Sequence, residues 1–215
     1  MDASRSDPTS RAPQTDRQRE ILREAQALVQ ESGLANLTIK RVADRVGFTE
    51  GAIYRHFASK RDLVFGLIDT LEERLLGVIS SIASDHSLPP EERVERMVRE
   101  HVRILQATRG LPLILVAEGL ATGDEELVAR LGRVMAGYRL ILGSVLDELA
   151  LPLPVPGPLA ALLFLGLPAA LGLQLRAHPD LALSDAQIDG LVAYYVRSLT
   201  ARRQETQDRI PEVDR

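Results

Sequence analysis

The run TIKRVADRVGFTEGAIYRHFASK, Thr38 to Lys60, decides how the rest of the chain is read. Ile39, Val42, Ala43 and Val46 fall at i, i+3, i+4 and i+7, which puts one apolar face on a helix. Gly47 follows, and glycine ends a helix cheaply because it enters left-handed backbone without a Cβ clash. Phe48 is expected to pack into the corner. Thr49 carries a side-chain oxygen able to cap a second helix. That helix is expected over Glu50 to Phe57, burying Ile53 and Phe57 at i and i+4. Ala43 is small where two crossing helices must approach closely. Two short helices around a glycine turn are the parts of a helix-turn-helix. The outward side of the second helix holds Gly51, Ala52, Tyr54, Arg55 and His56, with no acid among them. A plain helical hairpin would share the glycine turn. The capped second helix and its acid-free face favour insertion into a DNA major groove.

The net charge of −4 looks wrong for a DNA binder, but its distribution matters more than its total. Residues 1–60 hold ten Lys/Arg against eight Asp/Glu, and the rest holds 16 against 22. Between Thr38 and Lys60 the basic residues are Lys40, Arg41, Arg45, Arg55 and Lys60, against Asp44 and Glu50. A small basic patch on an acidic body can bind phosphates while the body's other faces repel them, and such binding weakens with salt. Of the 215 residues 45% are hydrophobic, enough for a substantial core. Cysteine is absent, which removes disulfides, thiolate metal sites and a cysteine nucleophile. The polar N-terminus does not read as a signal peptide, and a cytoplasmic location is expected.

Residues 1–15 read as a disordered tail rich in Ser, Thr, Pro, Arg and Asp, from which Arg5 and Arg11 could brush DNA. A first helix is expected over Asp16 to Ser32, stopped by Gly33, with Ile21, Leu22, Ala25, Leu28 and Val29 buried. Residues 16–60 form the helix-turn-helix domain, and residues 61–203 a helical regulatory and dimerisation domain. Ser59 to Asp62 fits a cap for a long helix reaching about Ala83. Further helices are expected over about Glu91–Thr108, over Leu111–Ala121, from a cap at Thr122–Glu125 to about Leu149, and over Leu159–Ala177 and Ser184–Arg203. The run LPLPVPGP, residues 151–158, reads as a semi-rigid connector, and residues 204–215 as a flexible tail. The fold class is all-α, with about nine helices. Leu159 to Leu175 is apolar nearly all round, so it must be covered nearly all round. A membrane span is discounted, because the run is short and broken by glycine and proline. A homodimer interface is the better reading.

The pieces TIKRVADRVGFTEGAIYRHFASKRDL and, upstream, REILREAQALVQESGLANLT resemble the N-terminal domain of the TetR/AcrR family of bacterial repressors. The resemblance covers about Asp16 to Leu71. It implies a three-helix DNA-binding domain, a C-terminal inducer-binding part and a dimer closed by the last two helices. It also implies contacts to a double-stranded DNA operator from Thr38, Lys40, Thr49, Gly51, Ala52, Tyr54, Arg55, His56 and Lys60. Thr38 and Thr49 would cap while touching phosphate, Gly51 and Ala52 would admit base edges, and Lys60 would hold a phosphate. Arg55 stands where relatives often have tyrosine, so it could read guanine or hold a phosphate.

The helices after residue 83 are rich in Leu, Val and Ala and poor in aromatics, so a pocket there favours a small apolar or amphipathic effector. His101, Glu118, Tyr138 and Arg139 are its candidate polar residues. A ligand that binds the DNA-free state more tightly would release a repressor from its operator. Nucleoid-occlusion factors share the fold and a similar run, so a regulator with a protein partner and no inducer is the alternative. Nothing points to an enzyme: the sequence shows no metal-spaced pair, no phosphate-cradling loop and no nucleophile elbow. No cofactor and no metal are expected.

Overall fold

In a computed structural model, residues 14–149, 155–178, 180–181 and 183–200 are described. The expected tails at 1–15 and 204–215, the first half of the connector 151–158 and the end of the last helix beyond 200 lie wholly or mostly outside these residues, and Gly157 and Pro158 of that connector belong instead to a helix. The described chain is helical and divides into a unit ending at Leu67 and a unit beginning at Ile68.

In the first unit, α1 spans Asp16–Ser32. Thr15 caps it, and the Gln18 side chain returns the bond to the Thr15 amide at 2.9 Å. Gly33, with φ 82°, stops it, and a 3-10 turn at Leu34–Asn36 leads on. α2 spans Ile39–Val46, with the Thr38 hydroxyl accepting from the Arg41 amide at 3.2 Å. Gly47 takes left-handed backbone (φ 75°, ψ 34°), and the Gly47 and Phe48 amides both turn back to the Ala43 carbonyl. α3 spans Glu50–Tyr54, capped by Thr49 on the Ala52 amide. Here the structure corrects the sequence reading: the helix does not run to Phe57. The Phe57 amide still bonds the Ile53 carbonyl, but Arg55 and His56 form a turn that brings Phe57 into the core. Ile21, Val42, Ala43 and Ile53 are buried together in this small core. α4, Lys60–Ala83, is capped by Ser59 on the Asp62 amide and continues into the second unit. A methyl on its Gly66 would come within 2.8 Å of Leu22 and 3.0 Å of Phe57, so only hydrogen fits there.

The second unit adds α5 (Pro90–Ala107), α6 (Leu111–Thr122), α7 (Glu125–Glu148), α8 (Gly157–Ala177) and α9 (Asp185–Thr200). Local chemistry sets the bounds. Pro90 and Pro158 sit in first turns, where the missing N–H costs nothing. Asp124 caps α7, and Ser184 and Gln187 cap α9 reciprocally. α8 therefore starts at Gly157, two residues before the expected start, with Pro158 inside its first turn. α7 and α8 cross so closely that a Cβ on Gly143 would overlap the Pro158 backbone, and the Gly157 amide donates to Asp147 Oδ1 at 2.7 Å. Arg93 is buried, donating to the Ala83 carbonyl at 2.8 Å and pairing with Glu148, so one guanidinium ties the end of α4 to α5 and α7. α9 is held by Arg99–Asp189 at 2.7 Å and by Gln106, which exchanges bonds with the Leu183 backbone. Among the described helices, α8 has the length and apolar composition of a membrane span. It is also a packed element: Ala161, Phe164, Pro168 and Leu175 on its inner side are buried.

Candidate nucleic-acid interface and ligand cavity

The first site lies in the first unit. Thr38 and Thr49 are exposed, with their hydroxyls engaged as helix caps. Gly51 is exposed at the start of α3, and a Cβ there would touch nothing closer than Thr49 Oγ1 at 4.0 Å. Ala52 and His56 are half-buried, while Tyr54 is 50% exposed and Arg55 is exposed. Gly51, Tyr54 and Arg55 thus reach solvent from α3 and the turn that follows it.

The cations around this face divide into two groups, a division composition does not reveal. Arg45 pairs with Glu31 at 2.5 Å and Glu24 at 3.2 Å, both on α1. Arg41 donates to the Ser32 hydroxyl and the Asn36 carbonyl. Arg17 lies 4.5 Å over the Phe48 ring and pairs with Glu20. Lys60 donates to the Leu34 carbonyl at 2.9 Å and is half-buried. Lys40 and Arg55 are exposed, and neither makes an ion pair among the described residues. Lys40 on α2 and Arg55 after α3 are thus the exposed cations of this face that no carboxylate holds among the described residues.

The second site is a cavity of about 210 Å³ inside the second unit. Ile68, Leu71 and Leu75 of α4 form one wall, and His101, Ile104 and Leu105 of α5 the next. Pro112, Leu113 and Val116 of α6, Leu131, Val134 and Met135 of α7, and Leu165 and Ala169 of α8 complete it. Met135 is 37% exposed. His101 is the one polar side chain in this lining. Burial pushes its pKa down to about 4, so the imidazole is neutral at physiological pH. Its ring packs against that of Tyr138, with centroids 4.7 Å apart and planes tilted by 55°. Tyr138 is fully buried, and its hydroxyl is held well above the usual phenol range. Neither His101 Nδ1 nor the Tyr138 hydroxyl has a hydrogen-bond partner among the described residues. Of the four polar residues expected at a pocket, His101 lines it and Tyr138 stacks on His101. Glu118 and Arg139 are half-buried and do not line it. No cluster of metal-binding side chains occurs among the described residues.

A third feature is an apolar surface on α8 and α9. Leu159, Leu162, Leu163 and Leu173 of α8 and Leu191 and Tyr194 of α9 are all exposed, Tyr194 by 74%.

The sequence model of bacterial regulatory proteins of the tetR family matches residues 21–67. The nucleoid occlusion factor SlmA of Marinomonas sp. (strain MWYL1) is 31% identical over 183 residues, covering 85% of this chain and 84% of that protein. The fatty acid degradation regulator FadR from Bacillus halodurans superposes with a TM-score of 0.69 at 21% identity, covering 85% of this chain and 97% of that one. FadR from Bacillus subtilis, solved in complex with stearoyl-CoA, gives a TM-score of 0.69 at 17% identity over the same shares.

Proposed function

Because the chain belongs to the TetR/AcrR family of bacterial DNA-binding regulators, we propose that it is a cytoplasmic repressor that binds a near-palindromic operator as a homodimer and is released by a small apolar or amphipathic ligand. The observation that carries the DNA half is the exposed side of α3 and its following turn, where Gly51, Tyr54 and Arg55 reach solvent, together with Lys40 and Arg55, which make no ion pair among the described residues. Lys60, though bonded to Leu34, stands at the start of α4 and is the third cation assigned to phosphate. Thr38, Thr49 and His56 contribute polar contacts, Gly51 and Ala52 allow close approach, and Tyr54 packs against the sugar-phosphate backbone.

The homodimer rests on the exposed leucines and Tyr194 of α8 and α9, an apolar surface a monomer would leave in water. A two-fold pair presents two α3 helices, which is why the operator should be a near-palindrome. Ligand release rests on the cavity, whose wall includes three residues of α4, the helix that begins next to the DNA-binding turn. A ligand that favours one position of α4 biases the DNA-binding unit, provided it binds the two states with different affinity. Selection of bound duplexes from a random pool tests the proposal: a palindromic consensus is expected, and a pool that never converges would sink it.

A second reading is favoured by the likeness to SlmA. The protein could act as a nucleoid occlusion factor that works through a protein partner and not through an inducer. Genome-wide occupancy separates the two: few sites next to genes fit the repressor, many dispersed sites fit nucleoid occlusion.

A further inference from the structure

Resting on the reading of the cavity as a ligand site, we propose that its ligand is an uncharged amphiphile, an apolar body with a single hydroxyl or carbonyl oxygen held by His101, whose ring is backed by Tyr138. Three observations carry this. His101 is the one polar side chain in a lining that is otherwise aliphatic. Its Nδ1 is buried without a partner, and the ring stacked on it belongs to a tyrosine whose hydroxyl is also buried without a partner. Each of these buried atoms has given up water and received nothing in return, which leaves the packed pair of rings a costly polar element in an aliphatic interior. A neutral imidazole nitrogen accepts from a hydroxyl or, as the other tautomer, donates to a carbonyl.

The same geometry selects against the alternatives. A pure hydrocarbon would fill the aliphatic wall and leave the nitrogen unsatisfied. A carboxylate would enter a wall with no cation among its lining residues, and an unpaired buried charge is far costlier than an unpaired dipole. Size limits the body. A cavity of 150 Å³ holds benzene, so about 210 Å³ suits a molecule of about eight carbons.

Four probes of one size decide the matter: ethylbenzene, 1-phenylethanol, acetophenone and phenylacetate, titrated calorimetrically into the full chain at neutral pH. The alcohol and the ketone should bind about tenfold tighter than ethylbenzene, the worth of one buried hydrogen bond, and phenylacetate should bind most weakly. In His101→Phe, with a ring of similar size, that preference should fall below about threefold while ethylbenzene binding persists. Retained ethylbenzene binding shows that the cavity is intact. Should His101→Phe not fold, His101→Leu serves instead. Tyr138→Phe should reduce the preference by a smaller factor. Equal binding of ethylbenzene and acetophenone, tightest binding of phenylacetate, or an unchanged preference in the His101 variants would each overturn the assignment. If ethylbenzene and acetophenone release operator DNA equally well, the head-group assignment alone is lost. If none of the four probes binds, the cavity is not a ligand site, and the reading beneath the assignment fails with it.

Discussion

Gly47 shows how much one residue sets. It holds left-handed backbone, and a Cβ there would meet nothing within 4 Å, so the cost of alanine is conformational alone. Gly47→Ala should lower stability by about 1–2 kcal/mol, read from denaturant melts, and an unchanged midpoint would count against the turn as described. His101 carries a pH signature. Its folded pKa of about 4 lies below the 6.5 of the free side chain, so between these values the unfolded chain binds the extra proton. Stability is therefore complete above about pH 6.5 and is lost as pH falls toward 4, by at most about 3 kcal/mol. His101→Gln should flatten that part of the stability profile. An identical slope in the variant would show that other groups cause it. The sequence singled out His101 as a polar residue on the inner side of an apolar helix. It could not show that Nδ1 lacks a partner, because that depends on what α7 places opposite.

At the scale of elements, most helix ends are legible in the sequence, since caps are local. Thr38, Thr49, Ser59 and Ser184 lie next to the helices they start, and Gly33 and Gly47 end theirs. The early end of α3 was not legible, because no glycine or proline marks it. The chain turns at Arg55 and His56 while Phe57 is buried, a tertiary demand that overrides helical spacing. The division of the cations was equally hidden, because Arg45 is held by Glu24 and Glu31 from another helix. Arg55→Ala should therefore weaken operator binding by roughly 1–3 kcal/mol if it reads a base, and Arg45→Ala should weaken it less. The reverse order in a titration would undo this ranking. On α8 and α9, Leu162→Glu combined with Tyr194→Glu should convert a dimer to a monomer in light scattering and reduce operator affinity with it. A dimer that survives both charges would place the interface elsewhere.

For the whole molecule, the number of cations assigned to phosphate sets how salt acts on DNA binding. Lys40, Arg55 and Lys60 in each of two protomers correspond to a slope of about −5 in log affinity against log salt. Arg55→Ala should make the slope shallower by about 2. A wild-type slope twice as steep would mean that the acid-paired arginines are released onto phosphate. The acidic remainder of the chain fits this economy, since it discourages contact with DNA through other faces. One property of the cavity wall has a practical use. Met135 lies in that wall and keeps over a third of its surface in water. The chain contains neither tryptophan nor cysteine. An indole installed at position 135 would be the sole strong fluorophore of the molecule, and a thiol there its sole thiol. Occupancy of the interior could then be followed by emission colour or by protection from alkylation, without operator DNA.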